Sequence, residues 1–123
     1  MSHADEVTVR RWFDAFNSRD LEAMLACMDA HVDFQPLRLR GVDAVYHCHV
    51  GVRDWFADLV RMGHRHRIDL AEVSAAAGNK VIATGTLSAA DGDGPTSFCA
   101  VEYLEDGLIV LARHYLRGSF QLR

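Results

Sequence analysis

Residues 12–25 read WFDAFNSRDLEAML and predict two short helices joined by a polar corner. Aromatic and aliphatic residues at three- and four-residue spacing give the first helix, over residues 4–17, a wide apolar face. At the corner, Asp20 or Ser18 can cap the second helix, over about residues 20–28, by accepting a hydrogen bond from an unpaired backbone amide. The chain therefore begins with a helical hairpin that must bury its apolar side.

The rest of the chain predicts one more helix and a series of strands separated by turns. Apolar residues at helical spacing give a third helix over residues 50–62, ended by Gly63. Asp-Gly and Gly-Asn pairs supply the turns, because these residues tolerate positive φ. The expected fold class is α+β, a cone-shaped half-barrel with three N-terminal helices packed on a curved antiparallel sheet. The strands are expected at about residues 32–37, 67–77, 80–90, 96–104 and 108–117.

Length and composition predict one domain that spans residues 1–123. The net charge of -4 and the lack of a basic stripe argue against a nucleic-acid partner. No apolar run approaches the ~20 residues that cross a bilayer, and the polar N-terminus lacks the order of a secretion signal. Three widely spaced cysteines suggest reduced thiols, so we expect a cytoplasmic protein that does not bind membranes.

The histidines do not predict a metal site. His47 and His49 form one H-x-H pair, and His64 and His66 form another. A helix of about 13 residues separates them, which at ~1.5 Å per residue places the pairs on the order of 20 Å apart. Neither pair has further ligands at suitable spacing. We therefore expect no metal, and the absence of a cofactor motif predicts no cofactor.

Three segments share an order along the chain that is typical of one superfamily. They are FNSRDLEA at residues 16–23, YHCHVGVRDWF at residues 46–56 and EDGLIV at residues 105–110. They resemble the helix junction, the entry into the third helix (with Cys48 in place of the usual glycine) and the last hairpin of the nuclear transport factor 2-like superfamily, nearest its SnoaL-like branch. The resemblance implies a cone-shaped fold and a homodimer. It leaves the activity open, because this fold hosts isomerases, dehydratases, cyclases, epoxide hydrolases and non-catalytic modules.

The resemblance also carries functional positions onto this sequence. Similarity to ketosteroid isomerases puts Trp12 in place of their oxyanion-stabilising tyrosine and Gln35 in place of their aspartate base. A neutral amide does not take a proton near pH 7, which argues against that isomerisation. Limonene-type epoxide hydrolases need an aspartate-arginine-aspartate set that the inward positions do not supply. The SnoaL-like cyclases use an acid on the last strand, where this chain has His114.

The predicted turn at residues 106–107 sets a register for the last two strands, in which Cys99 lies opposite His114. One face then carries Cys99, Val101, Tyr103, Val110, Ala112, His114 and Leu116, and we predict that it is the inner one. The other face carries Phe98, Ala100, Glu102, Leu104, Ile109, Leu111, Arg113 and Tyr115.

Both faces are too apolar for a sheet with one side in water. We expect the outer face to be covered by a second copy of the chain, with Glu102 and Arg113 paired across it, in a homodimer of back-to-back sheets. The alternative is that residues 36–48 of the same chain cover part of that face.

His114 is the residue that we predict to be catalytic. Histidine is the side chain best suited to proton transfer near neutral pH, and an ionisable group on an apolar face needs a specific role. The alternative is a neutral imidazole held by a backbone carbonyl, Tyr103 or a water. Glu72 would orient His114 if its strand face points inward. The predicted substrate-binding residues are Trp12, Phe16, Phe34, Tyr46, Trp55, Phe56, Cys99, Val101, Tyr103, Ala112 and Leu116.

Two functions remain open from the sequence. The first is an isomerase, cyclase or dehydratase that acts on a small hydrophobic, carbonyl-bearing molecule. In it His114 would be the general acid or base, and Tyr46 or Tyr103 would polarise the substrate. The second is a non-catalytic ligand-binding or dimeric interaction module of the same fold.

Overall fold

The structure, a computed structural model, describes residues 3–37, 44–63, 65–88 and 95–116. The predicted turn at residues 91–94 lies outside these residues, as does the centre of the segment 36–48. The elements, in chain order, are α1 (His3–Ser18), α2 (Leu21–Ala26), β1 (Met28–Gln35), β2 (Tyr46–His47), α3 (Cys48–Arg61), β3 (Arg67–Ala76), β4 (Lys80–Ser88), β5 (Thr96–Glu105) and β6 (Leu108–Leu116).

The six strands form one curved, unclosed sheet in the order β2-β1-β6-β5-β4-β3. All neighbouring strands are antiparallel except β1 and β6, which run parallel. Helix α1 packs on β3, and α3 packs on β1, so the helices cover the inner face of the sheet. The α+β class and the half-barrel are therefore confirmed. No helix in the described ranges is long and apolar enough to cross a membrane.

The helical hairpin forms as its polar corner predicts. The Asp20 carboxylate accepts a hydrogen bond from the Ala23 backbone amide at 3.1 Å and caps α2. Helix α2 ends two residues earlier than expected, because Met28 already begins β1. The Cys27 carbonyl accepts a hydrogen bond from the Ile109 amide at 2.9 Å, so pairing with the sheet replaces a further helical turn.

Two tight hairpin turns confirm the turn predictions. Gly78 and Asn79 have φ values of 79° and 61°, and Asp106 and Gly107 have φ values of 52° and 79°. Two successive residues with positive φ match the right-handed twist of the flanking strands. The last hairpin therefore begins where the sequence places it.

A β-bulge in that hairpin changes the register of the strands beyond it. Leu104 pairs with Ile109, but the next pair joins Tyr103 to Leu111, which leaves Val110 as an extra residue in β6. An extra residue on one strand shifts all later pairs by one position. The regular register predicted from the turn is therefore wrong from Val110 onward.

The bulge reverses the predicted faces of β5. Ala100, not Cys99, lies opposite His114. Ala112 and His114 are buried on the inner face as predicted, and the inner residues of β5 are Phe98, Ala100, Glu102 and Leu104. The predictions that placed Cys99, Val101 and Tyr103 on the inner face were wrong; these residues lie on the outer face.

The predicted pairing of Glu102 with Arg113 was also wrong. Glu102 lies opposite Ala112 and is 1% exposed, whereas Arg113 lies opposite Val101 and is exposed. A second bulge, at Ala71 in β3, leaves Glu72 exposed as well. Glu72 is therefore not the carboxylate that orients His114.

The core lies between the helices and the inner face of the sheet. Its largest fully buried side chains include the aromatic rings of α1 and β1 and aliphatic residues from six other elements. Burying one such side chain is worth about 1.5–3 kcal/mol. These residues are Trp12, Phe13, Phe34, Met24, Ile68, Leu104, Ile109, Val9, Val32, Val52 and Val81.

Candidate active site

An apolar cavity lies between the helices and the inner face of the sheet. Its volume is about 130 Å³. Apolar cavities of about 150 Å³ bind a benzene ring, so the size suits a one-ring ligand. The described residues that line it are Trp12, Phe16, Pro36, Leu37, Trp55, Leu59, His66, Ile68, Leu87, His114 and Leu116.

Three aromatic rings form one wall of this cavity. The ring planes of Trp12 and Phe16 differ by 9°, and those of Trp12 and Trp55 differ by 24°. The centroid separations are 5.8 Å, 6.5 Å and, between Phe16 and Trp55, 6.1 Å. Nearly equal separations describe a triangle rather than a column, so the three roughly parallel rings lie offset from one another. The wall offers aromatic faces to a planar ligand.

The chemistry of the cavity centres on a buried histidine and carboxylate. Nε2 of His114 lies 3.1 Å from Oε2 of Glu102, and the two side chains are 3% and 1% exposed. Glu102 sits diagonally across the β5–β6 pair, where side chains on one face reach each other. His114 lines the cavity and Glu102 does not, so the carboxylate supports the imidazole from behind.

His114 is surrounded by aromatic rings. Its ring centroid lies 5.3 Å from that of Trp12, 5.4 Å from Phe13, 5.5 Å from Phe34 and 5.4 Å from Phe98. This cage fixes the imidazole and keeps the dyad in a medium of low polarity, where interactions between charges are stronger than in water. Of the described residues, only Glu102 hydrogen-bonds to the ring, so Nδ1 is the nitrogen available to a ligand.

The second oxygen of the carboxylate is unsatisfied. Glu102 Oε1 is buried and has no hydrogen-bond partner among the described residues. A buried polar atom without a partner costs about 1–3 kcal/mol. Such a costly arrangement in the middle of the core is typical of a functional site rather than of a site selected for stability.

The predicted substrate-binding residues fall into three groups. Trp12, Phe16, Trp55 and Leu116 line the cavity beside His114. A second group is packed in or against the core without lining it: Phe34, Tyr46, Phe56 and Ala112. The third group, on the outer face, consists of Cys99, Val101 and Tyr103. Neither tyrosine considered as a polarising donor, Tyr46 or Tyr103, is among the residues that line the cavity.

Sequence reasoning missed Glu102 and the aliphatic part of the lining. Glu102 was assigned to the outer face because no local signal marks the bulge in β6. Ile68 and Leu87 line the cavity from the paired strands β3 and β4, and their alternation with polar neighbours was a usable signal. His66 lines it from the segment before β3, and its carbonyl accepts a hydrogen bond from Arg19 at 2.8 Å.

In the structure, Trp12 and Gln35 are not placed to act as the oxyanion donor and the base of a ketosteroid isomerase. The Trp12 indole donates its hydrogen bond to the Met28 sulfur at 3.3 Å, inside the core. The donor is therefore engaged and is not directed at a ligand. Gln35 is half-buried at the end of β1, where it pairs with Arg113, and it is not among the lining residues.

The first histidine pair has other partners than a metal. Nδ1 of His47 lies 2.6 Å from the Asp33 carboxylate at the surface, and Nε2 of His49 lies 2.9 Å from the Met28 carbonyl. Within the described ranges, no group of three or more histidine, cysteine, aspartate or glutamate side chains is arranged to hold an ion. His64 lies outside the described residues.

Two of the three cysteines, Cys27 and Cys99, are poor candidates for nucleophiles. All three thiols are unpaired. Burial raises the pKa of the Cys27 thiol; nearby Arg11 lowers it and Glu102 raises it further. Burial also raises the pKa of Cys99. Since the thiolate is the reactive form, both thiols are less nucleophilic than a free cysteine at neutral pH.

The comparisons with known proteins agree with the fold. A family model described as a SnoaL-like domain matches residues 9–112. A nuclear transport factor 2-like protein of unknown function from Burkholderia pseudomallei is 23% identical, with a TM-score of 0.78 over 100% of this chain and 97% of that chain. No curated protein has detectable sequence similarity to the chain.

Two further solved structures share the fold at lower identity. A putative polyketide cyclase from Sinorhizobium meliloti is 17% identical, with a TM-score of 0.72 over 88% of this chain and 93% of that chain. A putative ketosteroid isomerase from Kribbella flavida is 14% identical, with a TM-score of 0.77 over 96% of this chain and 81% of that chain. At these identities the likeness shows the fold alone.

Proposed function

The chain belongs to the SnoaL-like domain family, and from that premise we propose that it binds a small hydrophobic molecule in the aromatic cavity and transfers a proton on it through His114. The observation that carries the proposal is the buried dyad: the His114 imidazole lines an apolar cavity, and its Nε2 lies 3.1 Å from Oε2 of Glu102. The similar structures named as a putative cyclase and a putative isomerase support the same reaction class.

The geometry assigns a role to each atom of the dyad. Glu102 fixes the tautomer and orientation of His114 by engaging Nε2, so Nδ1 is the nitrogen that exchanges a proton with the ligand. With a proton, Nδ1 is a general acid toward a carbonyl oxygen; without one, it is a base toward the adjacent C–H. Either role promotes enolisation of a carbonyl compound, with solvent water as the partner that takes the α-proton or protonates the oxygen, and it contributes about 10²–10⁴-fold in rate.

Exchange of α-protons tests the proposal without the natural substrate. Acetophenone, a one-ring ketone of suitable size, is incubated with the protein in D₂O, and loss of its methyl signal is followed by ¹H NMR. We expect the wild type to accelerate exchange relative to buffer, and we expect His114→Leu to exchange about 10²–10⁴-fold more slowly than wild type. His47→Gln is the matched control, because it removes an exposed imidazole that is also paired with a carboxylate. Exchange that is equally fast in His114→Leu would exclude His114 as the proton-transfer residue.

A non-catalytic ligand carrier is the second candidate, and one observation favours it. Among the described lining residues only the two histidines and the indole N–H groups of the two tryptophans are polar, and the Trp12 indole is already bonded to Met28. The cavity therefore has few donors for a negative charge that develops on oxygen. In that case acetophenone binds to the wild type, and exchange proceeds at the rate in buffer.

We also retain the homodimer as a proposal. The outer face of the sheet carries apolar and aromatic residues that are only partly buried in the single chain, among them Val101, Tyr103 and Leu111. Such a face suits a second copy of the same sheet. Sedimentation equilibrium should give a dimer for the wild type and a monomer for Val101→Glu; a monomeric wild type would contradict this. The three unpaired cysteines suit the cytoplasmic location that we expect.

A further inference from the structure

We infer that the His114–Glu102 dyad carries one shared proton at rest, so that Nδ1 presents an N–H donor to the cavity and selects a neutral ligand with a carbonyl oxygen. This inference rests on the ligand-binding part of the proposed function and does not depend on turnover. It names the class of ligand by the acceptor oxygen that completes the hydrogen bond of Nδ1.

Burial of the dyad disfavours a net charge on it. An ionised Glu102 beside a neutral His114 would place a charge of minus one in the core, with the carboxylate 1% exposed. In the described part of the chain no lysine or arginine pairs with Glu102, and its Oε1 has no partner. Arg11, a cation close to the thiol of Cys27, is itself exposed to solvent. An uncompensated buried charge costs several kcal/mol, so one additional proton on the dyad is favoured.

The aromatic cage favours the same state. Four ring centroids lie within 5.5 Å of that of the imidazole. The rings offer no charge of opposite sign, and apolar surroundings penalise a net charge on the pair. The surroundings therefore favour a net-neutral pair over a net negative one.

The Nδ1–H donor is present wherever the shared proton lies. If the proton lies on His114, the imidazolium carries N–H groups on both nitrogens. If it lies on Glu102, the carboxyl donates to Nε2, and the neutral imidazole must carry its own proton on Nδ1. Both net-neutral forms present an Nδ1–H group, whereas only the net negative form presents a lone pair.

The ligand that matches this cavity has an apolar ring and one acceptor oxygen. The ring fits the aliphatic and aromatic lining, and the oxygen accepts the proton of Nδ1. A ligand without an acceptor leaves the donor unsatisfied in an apolar cavity, which weakens its binding. The dyad therefore distinguishes a ketone or aldehyde from a hydrocarbon of the same shape.

Acetophenone and ethylbenzene are a matched pair of probes. The chain has two tryptophans, and both line the cavity, so their indole N–H signals in a ¹H–¹⁵N spectrum report binding. One net hydrogen bond of about 1 kcal/mol corresponds to about fivefold in affinity, so we expect acetophenone to bind wild type about fivefold more tightly. His114→Leu should lower the ratio to one or below while it retains ethylbenzene binding, because the buried carbonyl then has no donor. His47→Gln should keep the wild-type ratio.

The protonation of Nδ1 is measured directly by ¹⁵N NMR of the His114 ring. A shift typical of a protonated nitrogen at neutral pH supports the inference, and a shift typical of an unprotonated nitrogen overturns it. Equal affinities of wild type for the two probes also overturn it. If the wild type shows fivefold selectivity but no α-proton exchange, the inference holds and the proposed catalysis is excluded. If the wild type exchanges α-protons but Nδ1 is unprotonated, the proposed catalysis holds and the inference is excluded.

Discussion

The buried His114–Glu102 pair makes a sharp prediction about stability. His114→Leu leaves both oxygens of a carboxylate that is 1% exposed without a partner. Removal of one member of a buried ion pair costs about 3–5 kcal/mol, because the other is left in a medium that does not solvate it. We expect a loss of about 3 kcal/mol in the free energy of unfolding, at the lower end of that range, because the lone carboxyl can take up a proton.

The reverse replacement and the double variant complete the cycle. Glu102→Met removes the partner of the buried imidazole, which still lines the cavity, so we expect a loss of about 1–3 kcal/mol for its unpaired Nε2. The double variant has no buried polar group at either position. Apolar replacements of similar volume for a whole buried pair are often neutral or stabilising, so its stability should be close to that of wild type. The two substitutions would then be coupled by about 4 kcal/mol or more.

Urea denaturation followed by tryptophan fluorescence and by far-ultraviolet circular dichroism measures all four proteins. Asp33→Asn is the control, because it breaks the exposed pair with His47 and should change stability by no more than about 1 kcal/mol. A double variant that lost the sum of the two single losses, or a His114→Leu variant as stable as wild type, would contradict the predicted coupling.

Three further predictions concern other parts of the fold. Asp20→Ala removes the α2 cap and should lower the free energy of unfolding by about 1 kcal/mol in urea denaturation; no loss would mean that the cap contributes nothing. Gly85→Ala should prevent folding or lower the free energy of unfolding by several kcal/mol in the same assay. The reason is that a Cβ at this position would lie 2.8 Å from Leu70 Cα and closer still to the Asp69 carbonyl oxygen. Wild-type stability would contradict that close approach. Because burial raises the pKa of Cys27, its alkylation by iodoacetamide at pH 8, read by mass spectrometry, should be slow in the folded protein and fast in urea; equal rates would contradict this.

The sequence predicted those elements that depend on local signals. Asp20 marks the start of α2 because its side chain bonds to an amide three residues away. The turn at residues 106–107 is equally local, since both residues adopt positive φ. The start of β1 was placed late, because the pairing of Cys27 and Met28 with Ile109 depends on a strand about eighty residues further along the chain. No local pattern carries that information.

The sequence could not predict which residues of the last hairpin point inward, for a physical reason. Residues 108–112 are all apolar, so alternation gives no sign of which residue points inward. A bulge within such a run changes the register without changing the pattern. The structure places it at Val110, and the assignment of faces on β5 reverses as a result.

The same bulge creates the candidate site. In the regular register Glu102 would share the outer face with Arg113, where an ion pair at a subunit contact is an ordinary arrangement. The extra residue moves Glu102 to the inner face, diagonally across from His114, and exchanges a cation for an imidazole as its partner. One residue of register thus separates a sheet with an ion pair on its outer face from a cavity with a buried histidine–carboxylate pair. Bulges commonly re-aim side chains, and the bulge at Val110 accounts for the presence of Glu102 and His114 on the same face.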